Sequence, residues 1–262
     1  MAPAGPPEGA TPPGGAAGDA SPAHWSEIAA LVADASEHAD VLHLLRRAAR
    51  SLGAQSAYFV SVVRDGATLR ESRHLLACDP TWCRHYLSGA GLAHDPWLAY
   101  ATRQSHPIVA SALTPRSPEQ RRLVELAARS GFASALLVPA HSSAGHTRVS
   151  LLCLGSGDAG HFEGSGYRRA RLGARLLAWE LHDWWLARIR RDLVERARLT
   201  PTDLVLLHQQ QLGHSSKRIA AELRISLPSI NSRFQRLNVK LGVANRKLAA
   251  SLACECGLIQ DH

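Results

Sequence analysis

Lysine is missing from the first 216 residues; all three lysines, Lys217, Lys240 and Lys247, fall in the last quarter of the chain. A phospho-receiver domain needs a lysine that reaches the phosphoryl group, so a working receiver is excluded upstream. No run of about 18 apolar residues occurs, so no membrane span is expected. The N-terminus has neither a basic segment nor an apolar run, so no signal peptide is expected. The five cysteines are odd in number and widely spaced, which argues against a disulfide framework. Cys78, Cys83 and Cys153 read as small buried or half-buried side chains. Cys254 and Cys256 stand too close for a usual metal pair, and no second pair follows. No metal and no cofactor is expected, and a reducing cytoplasm is the expected compartment. The chain has neither a G-x-S-x-G elbow nor an H-E-x-x-H pair. It reads as a non-enzyme, with a hydrolase of small amides or esters as the rival from another class.

What is present is a basic C-terminal third. The net charge is +8 over 262 residues. Residues 199–262 hold eight Lys and Arg against four acids, and residues 168–198 hold nine Arg against four. That placement suits a nucleic-acid partner better than a membrane, because no single amphipathic helix carries the charge beside an aromatic face. Residues 1–22 carry six of the fourteen prolines and almost no large apolar side chain, and read as a disordered tail.

From Trp25 onward the pattern alternates between helix and strand. Ile28, Leu31, Val32 and Ala35 mark one amphipathic helix. Val41, Leu44, Leu45, Ala48 and Leu52 mark a second, stopped by Gly53. Residues 56–63 and 68–77 read as a hairpin around Asp65-Gly66. Asp79-Pro80 and Asp95-Pro96 look like helix caps. Ser117 to Gln120 reads as a capping box for a helix reaching Ser130. Residues 133–140 and 147–154 form a second hairpin around Ala144-Gly145, and a long helix runs from about Tyr167 to Ile189. The fold class is α+β: an N-terminal α/β/α sandwich with an antiparallel sheet, over 23–187, then a linker at 188–198 and an all-α helix-turn-helix domain at 199–262. The linker's helicity stays open.

Within the last domain, residues 216–223 and 226–241 read as two helices and a tight turn. Ser226 caps the second, and Pro228 sits in its first turn, where the missing N–H costs little. Ile230, Phe234, Leu237 and Leu241 form its apolar stripe. Its other side shows Ser229, Asn231, Ser232, Arg233, Gln235, Arg236 and Lys240, without a carboxylate. Such a face can bond base edges and neutralise phosphates in a major groove. Lys217, Arg218, Arg233, Arg236, Lys240 and Arg246 are the phosphate candidates.

These motifs, with LTPTDLVLL at 199–207, SLPSIN at 226–231 and KLGVANRKLAASLACECGLI at 240–259, resemble the DNA-binding domain of LuxR-type transcription regulators. Asp203, Arg233 and Phe234 replace the more usual Glu, His and Leu. The run WCRHYLSGAGLAHDP at 82–96 resembles the same family's autoinducer-binding domain, which spaces its Trp, Tyr and Asp-Pro as W-x3-Y-x8-DP. The resemblance implies a ligand site at Trp82, Tyr86 and Asp95 for an N-acyl-homoserine lactone. Leu92, Leu98, Leu137 and Val149 would line it. The chain departs from the family at Cys78, Ala110 and Leu151, where Tyr, Trp and Ser are usual, and at Ala135, where Gly is usual. A long or altered acyl chain, a different amide ligand, or a regulator that needs no ligand would each fit those departures. The resemblance further implies double-stranded DNA, a small-molecule autoinducer and RNA polymerase as partners. It also implies a homodimer through the long helix and the last helix, Asn245 to Cys256, binding a palindromic operator.

Overall fold

The computed structural model describes residues 22–65, 68–88, 90–141 and 148–259. Residues 1–21 of the expected tail 1–22 and the tips of both expected hairpin turns lie outside the described residues, while Pro22 already opens a helix. The described helices are α1 (Pro22–Asp34), α2 (His38–Ser51), α3 (Pro80–Leu87), α4 (Ala90–His94), α5 (Pro96–Ala101), α6 (Pro118–Ala127), α7 (Ser165–Ala197), α8 (Pro201–Gln211), α9 (Ser216–Leu223), α10 (Leu227–Leu241) and α11 (Arg246–Glu255). The strands are β1 (Ser56–Asp65), β2 (Thr68–Ala77), β3 (Ile108–Val109), β4 (Ser134–His141) and β5 (Arg148–Ser156). They form one sheet in the order β2-β1-β5-β4-β3, with antiparallel neighbours throughout.

The alternation of a strand sends neighbouring side chains to opposite faces, and both faces here are buried. Phe59, Leu136, Val138, Leu152 and Leu154 pack under α1, α2 and α7. Tyr58, Val60, Val62, Leu137, Val149, Leu151 and Cys153 pack under α3, α5 and α6. The expected sandwich is therefore present. No helix of the described residues is long and apolar enough to cross a membrane.

Several elements differ from their expected form. Leu31 is exposed, because α1 turns Ile28, Ala29 and Val32 inward instead. At α6, Ser117 Oγ accepts from the N–H of Gln120 as expected, but the Gln120 side chain accepts from the N–H of Arg116, not from the cap residue. β3 is too short to show a period and was not expected. The long helix does not stop at Ile189. It runs on through 188–197, so α7 spans about 50 Å at 1.5 Å per residue. Ile189 and Ala197 bury in the C-terminal core with Leu206, Ile219, Phe234 and Ala253, so apolar anchors hold the charged segment.

Candidate ligand site and nucleic-acid face

The candidate ligand site lies where α3 and α5 cross the second sheet face. Asp79 caps α3 by accepting from the N–H of Thr81 at 2.7 Å, and Pro80 opens the helix. Trp82 and Tyr86, one turn apart, then face the sheet. Asp95 caps α5: its Oδ1 accepts from the N–H of Trp97 at 2.8 Å and of Leu98 at 3.2 Å. Its Oδ2 accepts from Tyr86 Oη at 2.5 Å. Asp95 thus caps α5 and at the same time holds the Tyr86 hydroxyl. Burial raises its pKa, while the Tyr86 hydroxyl and the two N–H groups pull it down.

The structure brings all six sequence-derived ligand residues into one cluster. Trp82, Tyr86 and Leu151 lie in it, Asp95 bonds Tyr86, and Cys78 and Ala110 pack against its edge. Leu98, Leu137 and Val149 are in the same cluster, with Leu92 beside it. The sequence reading missed Tyr58, Trp97 and Phe132. The Tyr58 ring centroid lies 5.0 Å from Tyr86, 5.7 Å from Trp82 and 5.5 Å from Phe132. Alternation along β1 points Tyr58 to this face, but an isolated strand tyrosine carries no signal that says so. Gly131, at φ +92°, ends the α6 segment and turns Phe132 inward. A side chain at Gly155 would strike the Phe132 ring at 2.2 Å, so glycine there permits the close approach.

Among the described residues, two donors in this cluster are buried without a hydrogen-bond partner: Trp82 Nε1 and Tyr58 Oη. The Tyr86 and Cys153 side chains lie near Tyr58 Oη, but neither bonds it with good geometry. Tyr58, Trp82, Tyr86 and Leu151 have no exposed surface, so no water-sized space touches them. The site as it stands is closed.

The residues proposed for DNA lie on the C-terminal helices. Ser226 Oγ caps α10 by accepting from the N–H of Ser229, and Ile230, Phe234, Leu237 and Leu241 are buried. Arg224, at φ +51°, makes the left-handed turn between α9 and α10. Asn231, Ser232, Gln235 and Arg236 are exposed on α10; Arg233 is half-buried. The Ser229 side chain bonds Ser226 Oγ at 2.8 Å. Three cations already have local contacts. Lys240 Nζ lies 2.9 Å from Asp203 Oδ2, Arg218 Nε lies 2.8 Å from Glu222, and Arg246 donates to Ser216 and covers the Phe234 ring. Lys217 is exposed. Asp203 also completes a capping box with Thr200, so a carboxylate there both starts α8 and pins α10.

The autoinducer binding domain family matches residues 37–183, more than half of the chain. The chain belongs to this family of LuxR-type quorum-sensing regulators. It is thereby a ligand-sensing protein whose effector is a small molecule and not a cofactor, and it is not an enzyme. Its fold is similar to that of SdiA in complex with octanoyl-rac-glycerol, at TM-score 0.66 and 18% identity, covering 91% of this chain and 96% of that one. Escherichia coli SdiA in the space group P6522 gives 0.65 and 17%, covering 90% and 98%. CepR2 of Burkholderia cenocepacia, an N-acylhomoserine-lactone-dependent LuxR-family factor, gives 0.52 and 14%, covering 62% and 93%. No curated protein matches the chain.

Proposed function

We propose that this LuxR-type regulator binds an acylated lactone or a related acyl compound between α3, α5 and the sheet, and that occupancy controls binding of a homodimer to a palindromic DNA operator. The observation that carries the ligand half is the pair of orphaned buried donors. A buried donor without a partner costs about 1–3 kcal/mol, and a ligand carbonyl recovers that loss. Trp82 Nε1 and Tyr58 Oη would each take an acceptor, and Asp95 Oδ2 keeps a lone pair for an amide N–H. The closed packing means that the ligand has to open the layer or be folded in.

The DNA half rests on α10, whose exposed Asn231, Ser232, Gln235 and Arg236 form a face free of carboxylates. The dimer rests on α7, where Leu172, Leu176 and Trp179 recur at helical spacing with 62%, 38% and 46% of their surface exposed. The last helix offers no such face: Leu248 to Cys254 are buried within the chain. A second reading, a regulator that needs no ligand, is favoured by the same closed aromatic packing. A thermal-shift series with N-acyl-homoserine lactones of different chain length, and with octanoylglycerol, separates the two. At a hundredfold excess over Kd a ligand stabilises its domain by about 2.7 kcal/mol, or roughly 5–10 °C. No shift with any of them leaves the ligand-independent reading standing.

A further inference from the structure

Cys78 and Cys83 place their sulfurs 3.7 Å apart at the start of α3. Cys78 immediately precedes the Asp79 cap, and Cys83 is the fourth helical residue. An apolar pair at these two positions commonly staples a helix start, and the thiols serve that packing. Two further observations go beyond a staple. Both thiols are only half-buried, unlike Cys153, Cys254 and Cys256. Cys78 also lines an open cleft of about 450 Å³ whose wall includes Arg46, Arg50 and Arg129, with Asp79 as its single acid. A cationic cleft with a sulfur in its wall suits a small anionic sulfur compound.

We propose that Cys78 and Cys83 form a dithiol–disulfide site whose oxidant is an anionic small-molecule disulfide of the glutathione class. A cysteine thiolate attacks one sulfur of the oxidant. A mixed disulfide forms, the oxidant's own S–S bond breaks, and one thiolate leaves. The second cysteine gives its proton to solvent and attacks the cysteine sulfur of the mixed disulfide. The protein S–S bond forms and the second small thiol departs, so two protein thiols are oxidised and one small disulfide is reduced to two thiols. The sulfurs close from 3.7 Å to about 2.05 Å. Burial and the Cys83 thiol raise the pKa of Cys78, while Arg46 lowers it, so exchange is slow and equilibrium is the proper readout.

The test uses the folded full-length chain, equilibrated with oxidised or with reduced glutathione, then acid-quenched, alkylated and digested with trypsin. One fragment, residues 74–84, carries both cysteines. The expected result with the oxidised form is this fragment two hydrogens lighter and unalkylated, reversed by reduced glutathione. Cys83→Ser and Cys83→Ala should each leave Cys78 as a mixed disulfide or a free thiol. Overturning results are a fragment that stays fully alkylatable, or one that stops at the mixed disulfide with both cysteines present. The fragment is read on wild-type protein, so a variant that fails to fold does not decide the outcome.

Discussion

Glu255→Ala should separate the unfolding of the two halves of the chain. Arg148 opens β5 with its side chain fully buried, and Glu255 closes α11. Arg148 Nε lies 3.4 Å from Glu255 Oε2, and the Arg148 backbone N–H donates to Glu255 Oε1 at 3.1 Å. The side-chain contact is an ion pair without hydrogen-bond alignment, and Nη1 and Nη2 have no hydrogen-bond partner among the described residues. Removing the acid from such a pair leaves a buried cation and costs about 3–5 kcal/mol. Here the protein has a cheaper response: undocking α11 lets water reach Arg148. The loss is therefore capped by the free energy that holds the C-terminal helices against β5. All six tryptophans precede residue 186, so fluorescence reports the sandwich, while circular dichroism reports every helix. In urea, wild type should show coincident curves, and Glu255→Ala should lose helix signal first. The pair Arg148→Met with Glu255→Leu should restore coincidence, since an apolar pair of similar volume replaces the ions without a stranded charge. Coincident curves for Glu255→Ala, with a loss below about 1 kcal/mol, would refute the reasoning.

Three further outcomes follow from single residues. His182 is held neutral, its pKa lowered to about 4, first by burial and then by Arg148 and His141. The unfolded chain takes up that proton near pH 6.5 and the folded chain does not. Stability should therefore fall by roughly 3 kcal/mol between pH 6.5 and 4, and His182→Gln should flatten that part of the profile. Asp95→Asn keeps a cap oxygen for Trp97 and Leu98 but removes the carboxylate, so it should abolish most of the ligand-induced rise in melting temperature. Gln235→Ala should change which duplexes are preferred, by about 1–3 kcal/mol at one base position, whereas Lys217→Ala should weaken all duplexes alike and lower the salt slope by about 1. A panel of operator variants titrated at several salt concentrations checks both.

Much of this architecture is legible in the residues because local rules agree there. Ile230, Phe234, Leu237 and Leu241 repeat at helix spacing, and Ser226 and Pro228 start the helix. Asp79 and Asp95 each cap a helix before proline, so α3 and α5 are marked by the same chemistry that builds the site. What stayed hidden is non-local. Tyr58 and Phe132 reach Trp82 from 24 and 50 residues away in sequence, through strand alternation and a glycine turn. Arg148 and Glu255 lie 107 residues apart, and neither has a neighbour that foretells burial of its charge. The continuation of α7 beyond Ile189 was masked by its arginines, although Ile189, Leu193 and Ala197 supply the apolar spacing.

The most direct measurement is the affinity of the full-length chain for duplex DNA carrying a two-fold-related pair of half-sites, titrated against salt with and without an acyl ligand that shifts the melting temperature. The account predicts an affinity that falls steeply with salt and changes when the ligand is added. An affinity for duplex DNA that is absent, or that neither salt nor ligand alters, would contradict it.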